Sequence, residues 1–127
     1  IAVFARTKQV LDKISKIDLS NKKIKRHDLA PNRTPKPGSV NFGTMEKSTG
    51  LEFKCVALIG CSNSIIPDNS ILSDSMNDED LKDLIQTEKN ILYTALTRAR
   101  DQLYISYTNQ LTEYLLKYIK FTPDVSP

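Results

Sequence analysis

The chain has 127 residues, 39% of them hydrophobic and 26% charged, with a formal net charge of +3. That is ordinary for a soluble globular protein and enough for one domain with a modest core; the chain is expected as a monomer whose domain covers residues 1–120. No apolar run approaches the roughly 20 residues needed to span a bilayer, and no basic segment precedes a long apolar run as in a signal peptide.

The single histidine, His27, stands in a basic loop, which argues against a histidine metal site or catalytic triad. Cys55 and Cys61, with five residues between them, match no zinc spacing, and Cys55 reads as a small core residue. No metal site is expected, and the cysteine usage suggests a reducing, cytoplasmic setting. The chain opens on a strand-like run without Met and reads as a piece of a longer protein.

Ile1 to Ala5 is short, continuous and apolar, the pattern of a strand covered on both faces. Thr7 offers an N-cap, and Val10, Leu11, Ile14 and Ile17 follow at helical spacing, predicting a helix over 8–17. Residues 20–38 form a basic loop with room for a short edge strand near Ile24. Within it Lys22, Lys23, Lys25, Arg26, Arg33 and Lys36 oppose only Asp28, a net +5 over residues 21–37. Such a stretch could meet a nucleic-acid backbone, but with Pro31, Pro35, Pro37 and Gly38 in or beside it composition favours a solvated loop.

Val40–Met45 and Phe53–Ile59 read as strands two and three. A polar loop over 60–75 leads to Asn77, an N-cap, with Asp78, Glu79 and Asp80 suiting the first-turn dipole. Leu81, Leu84, Ile85, Ile91, Leu92, Ala95, Leu96 and Ala99 trace one helical face that only Glu88 interrupts, and Glu88 is expected to pair with a nearby base. Residues 102–107 read as a fourth strand. Leu111, Leu115, Leu116 and Ile119 mark a last helix, and residues 121–127 a tail. Strands alternating with helices, two of the strands continuously apolar, predict an α/β fold with a mainly parallel sheet flanked by helices. Ligands of such sheets bind beyond the carboxyl ends of the strands, where the segment from Thr44 to Glu52 would lie.

Two stretches carry candidate chemistry. Gly50-Leu51-Glu52 places a permissive backbone beside a carboxylate able to accept from sugar hydroxyls, and a plain surface turn would use the same residues. Thr44 could offer its hydroxyl to a phosphate or simply end a strand. Arg98 lies at the margin of the apolar stripe, where a solvated or ion-paired arginine is the default and an arginine finger against a γ-phosphate the alternative. Arg100 and Lys89 read as surface charges.

Three segments together resemble the second, C-terminal RecA-like domain of UvrD/Rep-type superfamily 1 DNA helicases. Ile1–Thr7 is similar to the family's I-A-V-L-x-R-T strand. Thr44–Phe53 resembles motif V, T-x-H-x-x-K-G-L-E-F. Asn90–Arg100 resembles motif VI, L-x-Y-V-A-L-T-R-A. The resemblance covers residues 1–107, and it implies the following.

Arg98 is the motif VI arginine on the ATP γ-phosphate. Glu52, with Gly50 beside it, is the ribose contact. Thr44 lies near the single-strand DNA backbone, with Glu46 and Arg6 as further candidates on that track. The partners implied are single-stranded or partly duplex DNA and the first RecA-like domain of the same chain. The chain departs from the pattern at Glu46, where the family has His, and at Thr49, where it has Lys. It has no G-x-x-x-x-G-K-[ST] phosphate loop and no acidic pair for Mg²⁺, which the family carries on the first domain. ATP and Mg²⁺ are therefore implied for the complete protein, and this domain alone is expected to be inactive. Glu46 and Thr49 leave open a degenerate helicase-like module that binds nucleic acid or a partner without ATP. An unrelated small α/β ligand-binding domain is a third reading.

Overall fold

A computed structural model describes residues 1–16, 24–30, 34–71, 76–116 and 118. Five strands form one sheet in the order β2-β3-β1-β4-β5, and every neighbouring pair is parallel. They are β1 (Ala2–Ala5), β2 (Arg26–Asp28), β3 (Val40–Thr44), β4 (Phe53–Ile59) and β5 (Ala99–Ile105). Helices α1 (Lys8–Ser15), α2 (Asp78–Leu96) and the short α3 (Glu113–Leu116) flank the sheet.

The two faces follow from strand alternation. Ala2 and Phe4 of β1 and Val56 and Leu58 of β4 enter the larger core with Leu92 and Ala95 of α2. Ala5 of β1 and Phe42 of β3 enter the second, against Leu11 of α1. Both predicted caps form: Thr7 accepts from the Val10 N–H, and Asn77 from the Asp80 N–H at 2.8 Å.

Several boundaries differ from the sequence reading. Helix α1 ends at Ser15, with Lys16 as its C-cap, and Ile17 lies outside the described residues. The second strand closes at Thr44, and Met45 opens a 3₁₀ turn, Met45–Ser48, that Ser48 Oγ stabilises by donating to the Met45 carbonyl at 2.7 Å. Helix α2 stops at Leu96, and Ala99 and Arg100 begin β5, because Ala99 pairs with Phe53 in the parallel ladder. Leu81 is exposed, so the buried part of the stripe starts further along α2.

The edge strand in the basic loop is real but sits at Arg26–Asp28, paired with Val40–Phe42. Arg26 bonds Asp28 and lies 4.4 Å from the Phe42 ring centroid. Lys22, Lys23, Arg33, Ile119 and the 121–127 tail lie outside the described residues. Cys61 is the fully buried cysteine, whereas Cys55 is half-buried.

Candidate functional site

A parallel sheet has two chemically distinct ends, and the candidate residues divide between them. Arg6 follows the carboxyl end of β1, and Thr44 is the last residue of β3. Glu52 and Arg98 instead precede the amino ends of β4 and β5. The segment 45–52 therefore crosses the sheet from one end to the other. This corrects the expectation that all of Thr44 to Glu52 lies beyond the carboxyl ends. The physical reason is that β3 and β4 run parallel, so the chain must return before β4 begins.

At the amino end, Gly50, Leu51, Glu52, Thr97, Arg98, Ala99 and Arg100 line a cleft of about 200 Å³. Gly50 has φ +76°, a conformation costly for a residue with a Cβ, and its turn delivers Leu51 and Glu52 to the cleft. Phe53, the next residue, is buried edge-on against Phe4 at 5.8 Å. The Phe53 N–H donates to the Arg98 carbonyl at 2.9 Å, so the two segments are joined by their backbones.

The Arg98 side chain is half-buried and folded over this junction. Its Nε donates to the Thr94 carbonyl at 3.0 Å, Nη1 to the Leu51 carbonyl at 3.3 Å, and Nη2 to Thr97 Oγ1 at 3.1 Å. All three acceptors are neutral, and among the described residues Arg98 forms no ion pair. The guanidinium is thus oriented by neutral acceptors, with no carboxylate partner among the described residues. Glu52 is exposed at the cleft, and Arg100 is a surface charge beside Asp101.

At the carboxyl end the arrangement is different. Arg6 is 6% exposed and Glu88 only 1%. The guanidinium grips the carboxylate twice: Nε donates to Oε2 at 2.9 Å and Nη2 to Oε1. The Asp68 N–H also donates to Glu88 Oε2, at 3.0 Å. The remaining arm, Nη1, bonds Glu46 Oε1 at 2.9 Å, and Glu46 is 58% exposed. The hydrogen bonds that Arg6 donates to Glu88, despite the opposing effect of burial, hold its pKa above the ordinary value. Arg6 is therefore engaged by two carboxylates, one buried and one exposed.

Glu46 and Thr49 line a groove with Thr87, Asn90 and Thr94 of α2. Thr44 carries no side-chain cap bond to the turn it precedes. The sequence predicts a basic partner for Glu88, and the structure identifies that partner as Arg6. Glu88 alone interrupts the apolar stripe of α2, and a charge buried in a stripe requires a buried partner. Among the described residues no group of three His, Cys, Asp or Glu side chains could hold a metal ion, and no helix is long and apolar enough to cross a membrane.

Residues 2–110 match the family model of the UvrD-like helicase C-terminal domain. Over 106 residues the chain is 29% identical to an ATP-dependent DNA helicase Rep of Buchnera aphidicola, covering 84% of this chain and 14% of that protein. It is 38% identical over 69 residues to an ATP-dependent DNA helicase PcrA of Leuconostoc citreum, covering 54% of this chain and 8% of the relative. The chain thus spans 14% or less of the length of these relatives. In fold it is similar to the crystal structure of the C-terminal domain of a possible DNA helicase from Lactobacillus plantarum. The TM-score is 0.56 at 19% identity, over 91% of this chain and 60% of that one.

Proposed function

The chain belongs to the UvrD-like helicase C-terminal domain family, and from that premise we propose that it is the second RecA-like half of an ATP-dependent DNA motor. The domain is taken as residues 1–120. It supplies Arg98 and Glu52 to an ATP site whose phosphate loop and Mg²⁺ ligands belong to a first RecA-like domain. Thr44, at the opposite end of the sheet, contributes to the single-strand DNA track.

The observation that carries this reading is the state of Arg98. A guanidinium held by three neutral oxygens beside a rigid backbone junction is set to meet an anion approaching from outside. Arg6, by contrast, ends on carboxylates. Glu52 in the same cleft gives a carboxylate acceptor for ribose hydroxyls. ATP bound to the first domain supplies the γ-phosphate, whose charge Arg98 stabilises as the phosphoryl group departs. The role of this chain is to bring the charge to the cleft in a fixed orientation and to withdraw it when the cleft reopens.

Half a site implies a simple test. The pure domain should hydrolyse no ATP, whereas the complete protein should turn it over in the presence of single-stranded DNA. Robust hydrolysis by the pure domain would contradict the split site.

A module that binds DNA or a partner without ATP coupling is the alternative, favoured by the exposed Glu46 and Thr49 where the family pattern has His and Lys. Its mark would be a complete protein whose preceding sequence carries no phosphate loop.

A further inference from the structure

The two ends of the sheet are mechanically linked by one helix. Helix α2 carries Glu88, the partner of Arg6, near its middle, and Arg98 follows its C-cap Thr97 at the cleft end. From Glu88 to the helix end at Leu96 the rise is about 12 Å at about 1.5 Å per residue, and Arg98 lies two residues beyond. The Arg6 guanidinium is planar and rigid, so its three bonded nitrogens cannot move independently. Two of them hold Glu88, and the third holds Glu46 in the turn immediately after Thr44.

We infer that Arg6 is a positioning residue that couples strand binding at the Met45–Ser48 turn to the setting of Arg98. The inference rests on the motor reading above.

The two arms of Arg6 differ in a way that suits this role. The inner arm, to Glu88, is buried, and the Glu88 carboxylate is fixed from its other side by the Asp68 N–H. The outer arm, to Glu46, is part-buried and ends on an exposed carboxylate, so it contributes less to stability than the inner arm. A phosphate arriving beside Thr44 repels the Glu46 carboxylate and attracts Arg6 Nη1. It therefore competes for the outer arm. Turning the guanidinium about that arm shifts its contacts with Glu88. Because Glu88 is held by Asp68 and closely packed, the shift passes to α2 as a whole. The far end of α2 is bonded to Arg98 through the Thr94 carbonyl. A DNA phosphate at one end of the sheet thereby alters the arginine at the other.

The test uses the complete helicase chain and oligo-dT, with ATP turnover measured over a range of oligonucleotide concentration for wild type, Glu46→Ala and Arg6→Lys. Thermal melts of each variant run alongside. Glu46→Ala should leave the melting temperature within about 2 °C of wild type, as for an ion pair that ends on an exposed carboxylate. Its ratio of DNA-stimulated to unstimulated turnover at saturating oligo-dT should fall at least about threefold. Arg6→Lys, which keeps the charge and loses the fork, should lower the same ratio. An undiminished ratio in Glu46→Ala overturns the coupling. So does a change confined to the half-saturating oligo-dT concentration, which would make Glu46 a DNA contact only. A wild-type chain with no DNA-stimulated turnover would remove the motor reading itself, and the coupling with it.

Discussion

Arg98 Nη1 donates to the carbonyl oxygen of Leu51 at 3.3 Å, across 47 residues of sequence. The bond fastens the arginine to the segment that presents Glu52, and the Phe53 N–H returns the connection to the Arg98 carbonyl. The ribose-facing and phosphate-facing groups of the proposed ATP site are thus one unit. A change in either should disturb nucleotide handling without unfolding the sheet.

Glu52→Ala tests the ribose half of that unit. In the complete protein, wild type should prefer ATP to a deoxyribose analogue that lacks the accepted hydroxyl. Removing a hydrogen bond to a charged group costs about 1.5–3 kcal/mol. The variant should therefore lose at least about tenfold in kcat/KM for ATP and discriminate less between the two nucleotides. Unchanged discrimination would remove Glu52 from the ribose.

Glu88→Ala addresses the other end of the sheet. It leaves the buried Arg6 without its main partner, a change that typically costs about 3–5 kcal/mol. Urea titration of the domain should show a midpoint well below that of wild type. A shift worth under about 1 kcal/mol would show that the pair is not held dry.

Cys61 gives a pH prediction. Burial pushes its thiol up to about 12 from 9.0. Between those values the unfolded chain loses the proton and the folded chain keeps it, so stability falls as pH rises from 9 toward 12. Below pH 9 the group contributes no slope. Replacing Cys61 with Ala should reduce the alkaline slope of unfolding free energy by up to about 1.4 kcal/mol per pH unit. An identical slope in the variant would rule out this contribution. The same burial should keep Cys61 unreactive toward thiol reagents in the native state.

Much of this architecture was legible in the sequence because its signals are local. The apolar runs of β1 and β4, the caps Thr7 and Asn77 and the motif segments around Glu52 and Arg98 each declare themselves within ten residues. The end of α2 did not. Ala99 continues the helical spacing of Ala95 and Leu96, and only its pairing with Phe53, 46 residues earlier, makes it a strand residue. Strand β2 has no apolar alternation to reveal it, since Arg26 is held at the edge by the ring of Phe42 and by Asp28. The resemblance places Arg6 among the DNA-track candidates and the α2 stripe predicts a base for Glu88, but no local signal joins the two residues across 82 positions. The division of the site between opposite ends of the sheet likewise follows from strand direction, which residue patterns do not carry.

The central claim is that Arg98 completes an ATP site from across a cleft, and Arg98→Ala in the complete protein tests it most directly. ATP turnover with saturating single-stranded DNA should fall by about 10³-fold or more, as for loss of an arginine finger. Affinity for the DNA, measured without nucleotide, should stay within about twofold, since Arg98 lies at the opposite end of the sheet from Thr44. Turnover near the wild-type rate, with the fold intact, would contradict the account.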